Sequence, residues 1–180
     1  MAYTEREILR SELRWSGVAA GAVLLLLGCT LYATLALHRN PPSNLEYVDP
    51  ATLHLQGEFT EANLGTRVAP DGSVTARIVA AQYEFQPRCV AVPLNKPVTL
   101  RLTSPDVIHG ILVSQTNVNT MIVPGYVAQV HATFTRPGSL LMPCHEFCGL
   151  GHSAMLARVE VLPDDKFQPD AQGKVSCGQP

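Results

Sequence analysis

The segment CHEFCGLGHSAM, residues 144–155, places two cysteines, two histidines and a methionine within twelve positions. Cys148, His152 and Met155 have the spacing of a copper-binding loop, because a thiolate, an imidazole and a weak axial thioether suit the softness and geometry of copper. Such a site needs another histidine, and His109 in SPDVIHG is the candidate. Since Cys144 lies four residues before Cys148, two thiolates from one loop could face each other and bridge two copper ions.

Two alternative interpretations use the same cysteines. A disulfide between Cys144 and Cys148 would leave the H-x-x-M pattern that follows them without a purpose. Structural zinc fits the number of ligands, but Met155 is a poor zinc ligand. His145 would point away from a site that both cysteines face, so it is expected to be exposed to solvent. The other histidines lack ligand partners in the sequence and are expected on the surface or in strands: His38, His54 and His131.

Length, charge and cysteine count limit the class of protein. The 180 residues suffice for one domain with a hydrophobic core and an additional segment. The formal net charge is -2 and no basic run occurs, so nucleic-acid binding is not expected. Five cysteines are too few and too unevenly placed for a disulfide scaffold, and their odd number leaves at least one unpaired.

The additional segment is residues 15–37, which carry no charged side chain over 23 positions. At about 1.5 Å per residue, a helix of this length crosses a hydrocarbon core of about 30 Å, so we predict one transmembrane helix. A cleaved signal peptide would have a shorter apolar region, and a lipoprotein site at Cys29 would not be followed by eight more uncharged residues. Arginines at 6, 10 and 14 precede the span and only Arg39 closely follows it, which predicts that residues 1–14 are cytoplasmic and the main domain lies outside.

Short segments rich in β-branched or aromatic residues follow residue 70, separated by Pro, Gly, Asn or Ser. They are VTARIVAAQYEF, KPVTLRLTS, HGILVSQ, YVAQVHATF, GSLLMPC and MLARVEVL. Strands at this spacing, without a convincing amphipathic helix after residue 40, predict a mainly β sandwich or barrel. The cysteine-rich segment would then be a loop that joins two strands.

The segments on either side of these strands have few structural signals. Residues 38–70 contain prolines and glycines with little periodicity and are predicted to be a linker. Residues 163–180 are polar and are predicted to be a poorly ordered tail. Cys89 and Cys177 fit no ligand role, and we expect them to be unpaired rather than a disulfide because the tail is predicted to be disordered.

The pattern C-x-E-x-C-x-x-x-H-x-x-M, with an upstream histidine behind a predicted membrane helix, resembles subunit II of haem-copper oxygen reductases. That subunit carries the binuclear CuA centre on a cupredoxin domain. The resemblance extends over about residues 48–162, and VDP, SPDVIHG and CGLGH are most similar to the B-type oxidases. It implies a cupredoxin-like β-sandwich with Greek-key topology, which we place at residues 71–162.

The resemblance also implies a role for each ligand. Cys144 and Cys148 would bridge the coppers, His109 and His152 would each cap one copper, and Met155 and the backbone carbonyl of Glu146 would be weak axial ligands. The family usually has a small polar residue where this chain has His145, which affects only the solvation of the centre. With no open coordination position, such a site transfers electrons and does not bind oxygen.

The implied function is electron entry into a terminal respiratory oxidase in a bacterial inner membrane, with the CuA domain on the periplasmic side. Electrons would come from a cytochrome c or a small copper protein and pass to haem in subunit I, where oxygen is reduced. Two alternatives stay open: the CuA subunit of a nitric-oxide-reducing relative, and a membrane-tethered copper or electron carrier, in which Cys144 would be superfluous.

The donor contact is the last expectation. By resemblance, QYEFQP at residues 82–87 lies over the copper centre, and strand alternation would place Tyr83 and Phe85 on one face, as a docking surface. The alternative is that both are core residues. Residues 40–180 hold nine Lys or Arg and twelve Asp or Glu, a net charge of -3, too small for strong steering of a basic donor. We therefore expect a mainly apolar, transient contact.

Overall fold

The computed structural model describes residues 4–37 and 43–178, which fall into a helical unit and a β unit with a boundary after residue 41. The helical unit is α1 (Glu5–Leu35), a continuous helix of 31 residues. The carboxylate of Glu7 accepts a hydrogen bond from the backbone N–H of Thr4 at 2.9 Å, which stabilises the first turn. No residue of α1 is buried within this unit.

Among the described residues, α1 is the one helix that is long and apolar enough to cross a membrane. It contains most of the predicted span at 15–37 but begins at Glu5, so the helix also includes most of the segment predicted as a separate N-terminus, residues 1–14. Cys29 lies in this helix, as expected. Residues 38–42, which include His38, lie outside the described residues.

The β unit has twelve strands among the described residues. They are β1 (Ser43–Tyr47), β2 (Gly65–Val68), β3 (Val74–Ala81), β4 (Glu84–Gln86), β5 (Cys89–Pro93), β6 (Pro97–Thr103), β7 (His109–Leu112), β8 (Asn119–Ile122), β9 (Tyr126–Thr133), β10 (Gly138–Pro143), β11 (Leu156–Leu162) and β12 (Lys174–Val175). One sheet has the order β1-β9-β6-β3-β2-β12, with β4 also paired to β3; β10-β11-β5 form a second sheet, and β7 pairs with β8. Each of the six predicted segments contains a strand.

The large sheet alternates between a buried and an outer face. On β6, Leu100 and Leu102 are fully buried, whereas Arg101 lies on the opposite face. The cross-strand partners of Leu100 are Ala76 on β3 and Val130 on β9, so three strands present one apolar surface. This surface packs against side chains of β5, β10 and β11 in one hydrophobic cluster. The predicted β-sandwich is confirmed.

The predicted linker at 38–70 is wrong from residue 43 onward. β1 pairs antiparallel with β9, and β2 pairs antiparallel with β3. Between these strands, Leu53, Phe59 and Leu64 pack with Val79 and Val127 in a second hydrophobic cluster. The segment shows little periodicity because it buries single side chains from turns instead of one face of a regular element.

The polar C-terminal segment is also ordered, contrary to prediction. β12 pairs with β2, and the side chains of Phe167 and Val175 are buried. Cys177 forms a disulfide with Cys89, which lies 88 residues earlier on β5. The expectation that these two cysteines are unpaired is therefore wrong. Average polarity predicted disorder, but a few apolar side chains and one covalent bond hold this segment on the sandwich.

Candidate metal centre

Three neighbouring parts of the sandwich position the predicted ligands. His109 is the first residue of β7, Cys144 follows β10, and Met155 precedes β11. The backbone N–H of Cys144 donates to the carbonyl of Met155 at 2.9 Å, which closes residues 144–155 into a loop, named here the ligand loop. The N–H of His145 donates to the carbonyl of Gly110 at 2.9 Å, so β7 holds the same loop.

Gly110 permits the close approach of β7 to the ligand loop. A Cβ atom at this position would lie 3.1 Å from the backbone nitrogen of Glu146 and 3.2 Å from its Cβ. Any larger side chain would therefore push the loop away from the strand that carries His109. Because residue 110 is glycine, the strand that carries His109 can lie directly against the ligand loop, although the two are distant in the sequence.

The sulfur and imidazole atoms converge on one small volume. The Sγ atoms of Cys144 and Cys148 are 3.8 Å apart. Nδ1 of His109 lies 3.8 Å from Sγ of Cys144, and Nδ1 of His152 lies 3.7 Å from Sγ of Cys148. The Sδ atom of Met155 is 3.7 Å from Sγ of Cys148. All five side chains that the sequence predicted as ligands thus meet at one place.

The sixth predicted ligand is a backbone atom. The carbonyl oxygen of Glu146 lies 3.2 Å from Sγ of Cys144, while the side chain of Glu146 is exposed. His145, the residue before it, is also exposed, as expected. His54 and His131 are exposed too, and neither belongs to the cluster. The loop therefore turns the cysteines inward and the side chains between them outward.

Burial removes the cluster from water. The side chains of His109 and Met155 are fully buried, those of Cys144 and Cys148 are nearly so, and His152 is half-buried. Burial and the neighbouring thiol of Cys144 raise the pKa of Cys148 to about 11. The metal-free thiol is thus protonated at neutral pH, and a metal ion would have to displace that proton.

Asp106 orients the imidazole of His109. Oδ1 of Asp106 lies 2.9 Å from Nε2 of His109, so this nitrogen carries the proton and Nδ1 faces the sulfur atoms as an acceptor. Burial alone would raise the pKa of Asp106, but hydrogen bonds from His109 and from the N–H groups of Gln82 and Val107 lower it. Asp106 was not among the residues predicted for the site, although its position three residues before a predicted ligand histidine was the available signal.

The donor atoms of the cluster fit a copper site better than a Cys144–Cys148 disulfide or a structural zinc site. Sγ atoms 3.8 Å apart are not bonded, since a disulfide has a sulfur–sulfur distance of about 2.05 Å. The buried thioether of Met155 beside the thiols is unsuited to a structural zinc site and suits a copper site. Two thiols, two imidazole nitrogens, a thioether and a carbonyl oxygen form a donor set that suits copper.

The structure separates Tyr83 from Phe85. Phe85 is fully buried in the core, so its predicted place on a docking surface is wrong. The two residues differ because Tyr83 lies in the turn before β4 and not in a strand. Tyr83 is 40 % exposed. Its side chain lies on the ligand loop: a Cβ at Gly149 would lie 2.6 Å from its hydroxyl oxygen and a Cβ at Gly151 2.5 Å from its ring, so only glycine leaves room at these two positions.

Further exposed apolar side chains lie on the ligand loop and beside His109. Phe147 and Leu150 of the ligand loop are 73 % and 98 % exposed, and Ile108, beside His109, is also exposed. The ring of Phe147 packs edge-on against the imidazole of His152, with centroids 5.8 Å apart. Exposed apolar side chains concentrated at one site are typical of a contact surface. Phe147 and Leu150 were not among the residues predicted for a docking surface.

The chain is similar to known proteins over most of its length. The family described as cytochrome C oxidase subunit II, periplasmic domain, matches residues 58–162. Two proteins of Thermus thermophilus named cytochrome c oxidase subunit 2 are similar: one is 33 % identical over 87 % of this chain and 94 % of that protein, the other 36 % identical over 71 % and 97 %.

A chain of a haem-copper terminal oxidase dimer, solved by cryo-EM, has a TM-score of 0.67 to this structure at 27 % identity, over 84 % of this chain and 99 % of that one. With the family match, this likeness confirms the predicted cupredoxin-like β-sandwich behind one apolar helix. The chain belongs to the cytochrome c oxidase subunit II family.

Proposed function

We propose that the buried cluster holds a binuclear copper centre, CuA, through which this subunit of cytochrome c oxidase takes in electrons. The observation that carries the proposal is the pair of thiol sulfurs 3.8 Å apart, each with an imidazole Nδ1 within 3.8 Å. A mononuclear blue-copper site uses one thiolate, so Cys144 would have no role in it. Family membership supports copper as the metal.

The thiolates of Cys144 and Cys148 would be shared between the two ions, His109 and His152 would each bind one ion, and Met155 and the carbonyl of Glu146 would bind weakly. When bound, the two coppers would supply a one-electron carrier. The sandwich keeps the donors in place and excludes water from them. Because the protein supplies every donor, we assign oxygen reduction to haem and copper in subunit I.

The electron donor is proposed to dock on the apolar surface formed by Tyr83, Phe147 and Leu150. These side chains are exposed and lie on or within the ligand loop, so a donor that covers them comes close to the cluster. The small net charge between residues 40 and 180 favours a donor held by apolar contacts. A small cytochrome c or a small copper protein fits this requirement.

The β unit is proposed to lie on the periplasmic side of a bacterial inner membrane, with the N-terminus in the cytoplasm. α1 and the family match fit a single-pass membrane subunit. The disulfide between Cys89 and Cys177 supports an oxidising compartment for the β unit, and the arginines before the apolar span support this orientation. A reporter fused to the C-terminus should be active only if it is a type that folds outside the cytoplasm. The particular likeness to B-type oxidases stays a prediction.

Copper loading tests the central proposal. The full chain in detergent should bind two copper ions and give an electron paramagnetic resonance signal with hyperfine splitting from two equivalent coppers. Cys144→Ser and Cys148→Ser should each abolish that spectrum, because each removes a bridging thiolate. His145→Ala is the matched control in the same loop and should leave the spectrum nearly unchanged, since its side chain is exposed. A four-line signal from one copper would contradict the proposal.

Reduction kinetics test the docking surface. Stopped-flow reduction by a small cytochrome c should depend weakly on ionic strength, and Tyr83→Ala should slow it without loss of copper. Tyr47→Ala is the control, because Tyr47 is exposed but packs against Tyr126 and not against the ligand loop. A rate that collapses with added salt, or that is equal in the two variants, would show that the donor binds elsewhere or by charge.

A further inference from the structure

The turn between β3 and β4, formed by Gln82 and Tyr83, contacts both segments that carry the ligands. The backbone N–H of Gln82 donates to Oδ2 of Asp106 at 2.7 Å, and Oδ1 of the same carboxylate accepts from the imidazole of His109. The side chain of Gln82 extends the other way and donates from Nε2 to the backbone carbonyl of Cys148. One residue therefore links the His109 segment to the ligand loop.

The amide of Gln82 lies directly on the ligand loop, although much of the residue is exposed. A Cβ atom at Gly149 would lie 3.0 Å from Nε2 of Gln82 and 2.6 Å from the hydroxyl oxygen of Tyr83. The loop is also held by backbone hydrogen bonds to Gly110 and between its own ends. In the described structure, the side chain of Gln82 is the one side chain that donates a hydrogen bond to the carbonyl of Cys148.

We propose that Gln82 is a positioning residue, which fixes the carbonyl of Cys148 and thereby sets both the rigidity of the ligand loop and the reduction potential of the copper centre. The proposal rests on the assignment of Cys148 as a copper ligand. Partners of this kind, which contact a ligand and not the metal, orient the ligand and tune the metal.

The sign of the effect on the potential follows from electrostatics. The N–H groups of the Gln82 amide point their positive ends toward the carbonyl of a ligand residue. The positive end of a dipole favours the reduced state of the site, because that state holds one more electron. Gln82→Ala removes this dipole and should lower the potential, and Gln82→Glu replaces it with a negative charge and should lower the potential further.

The effect on rigidity can be measured without metal. The N–H of His152 donates to the carbonyl of Gly149 at 3.1 Å and that of Ala154 to the carbonyl of Gly151 at 3.1 Å, so exchange of these two amide hydrogens reports on opening of the loop. Loss of one hydrogen bond should speed their exchange about fivefold, the factor that corresponds to about 1 kcal/mol.

The experiment compares Gln82→Ala and Gln82→Glu with wild type and with the control Gln86→Ala, using the full chain in detergent. The side chain of Gln86 is exposed and donates to the side chain of Glu84 in the same strand, β4, so its loss removes a side-chain hydrogen bond outside the ligand loop. Amide exchange is measured on the metal-free protein, and the midpoint potential is measured on the copper-loaded protein.

The expected result is faster exchange at His152 and Ala154 in both Gln82 variants, with a lower potential in Gln82→Ala and the lowest in Gln82→Glu. Exchange and potentials that match those of Gln86→Ala would overturn the inference about Gln82. Faster exchange with an unchanged potential would overturn the tuning role, because a purely structural contact explains it. If wild type fails to bind two coppers, the proposed function fails, and the exchange data still decide whether Gln82 fixes the loop.

Discussion

Asp106→Asn is expected to disturb the candidate metal centre without changing any ligand. Oδ1 of Asp106 accepts from Nε2 of His109 at 2.9 Å and from the N–H of Val107, while Oδ2 accepts from the N–H of Gln82 at 2.7 Å. Asparagine has one acceptor oxygen and one NH2 group, which only donates. Whichever way the amide turns, the donors on one side of it lose their acceptor and face another donor.

The magnitude follows from these contacts. If the NH2 group faces His109, the imidazole loses the group that fixes its tautomer and orientation, and such changes typically weaken metal affinity by about 10- to 100-fold. If it faces Gln82 instead, a backbone N–H is left without an acceptor, which costs about 1–3 kcal/mol of unfolding free energy. The variant must therefore lose metal affinity, stability or both.

Two measurements on the full chain in detergent check this. Copper retention against a series of chelators gives the change in affinity, and urea unfolding of the metal-free protein gives the change in stability. Asp71→Asn is the control, because it makes the same change of charge in an exposed turn, where Asp71 accepts from the N–H of Ser73 at 2.9 Å. If Asp106→Asn matches this control in both measurements, the carboxylate does not orient His109 and the reasoning is refuted.

Three further changes have defined outcomes. Replacing Cys89 and Cys177 by serine should lower the free energy of unfolding in urea by up to about 4.6 kcal/mol, from the chain entropy of an 88-residue loop, and a loss below about 1 kcal/mol would contradict this. Burial would raise the pKa of Glu58, but hydrogen bonds from arginines lower it below its ordinary 4.5, so its contribution to stability is present above that pH and is lost as the pH falls through the folded value. Arg101→Ala should therefore reduce the difference in unfolding free energy between about pH 7 and pH 3, and an unchanged difference would refute the role of this ion pair. Gly110→Ala should weaken copper retention with little change in the fold, because its methyl group would lie 3.1 Å from a backbone nitrogen of the ligand loop; retention equal to wild type would show that the loop can shift freely.

The local part of the site was predictable from the sequence. Cys144, Cys148, His152 and Met155 lie within twelve residues, so their spacing alone restricts them to one loop and their donor atoms indicate copper. The apolar helix and the six strands were predictable for the same reason, since hydrophobic runs and alternation depend on neighbours along the chain. His109 in SPDVIHG was the candidate ligand from outside this loop, and the family resemblance supported it.

The tertiary structure decided which remote residues meet the loop. Asp106 and Gln82 reach the centre because β3, β4 and β7 bring their ends to the same place, and neither residue has a distinctive spacing. Phe85 and Tyr83, two positions apart, separate into core and surface because a turn ends before β4 begins. Strand alternation could not show that turn.

The disulfide and the order of the flanking segments could not be predicted for the same reason. Cys89 and Cys177 are 88 residues apart, and whether they meet depends on β12 adding to the large sheet beside β2. Residues such as Phe59 and Phe167 are buried singly, so no periodic pattern marks them. Ligand spacing and hydrophobic periodicity are properties of short stretches of chain, whereas contacts between distant residues depend on how strands pair, and only the folded chain contains that information.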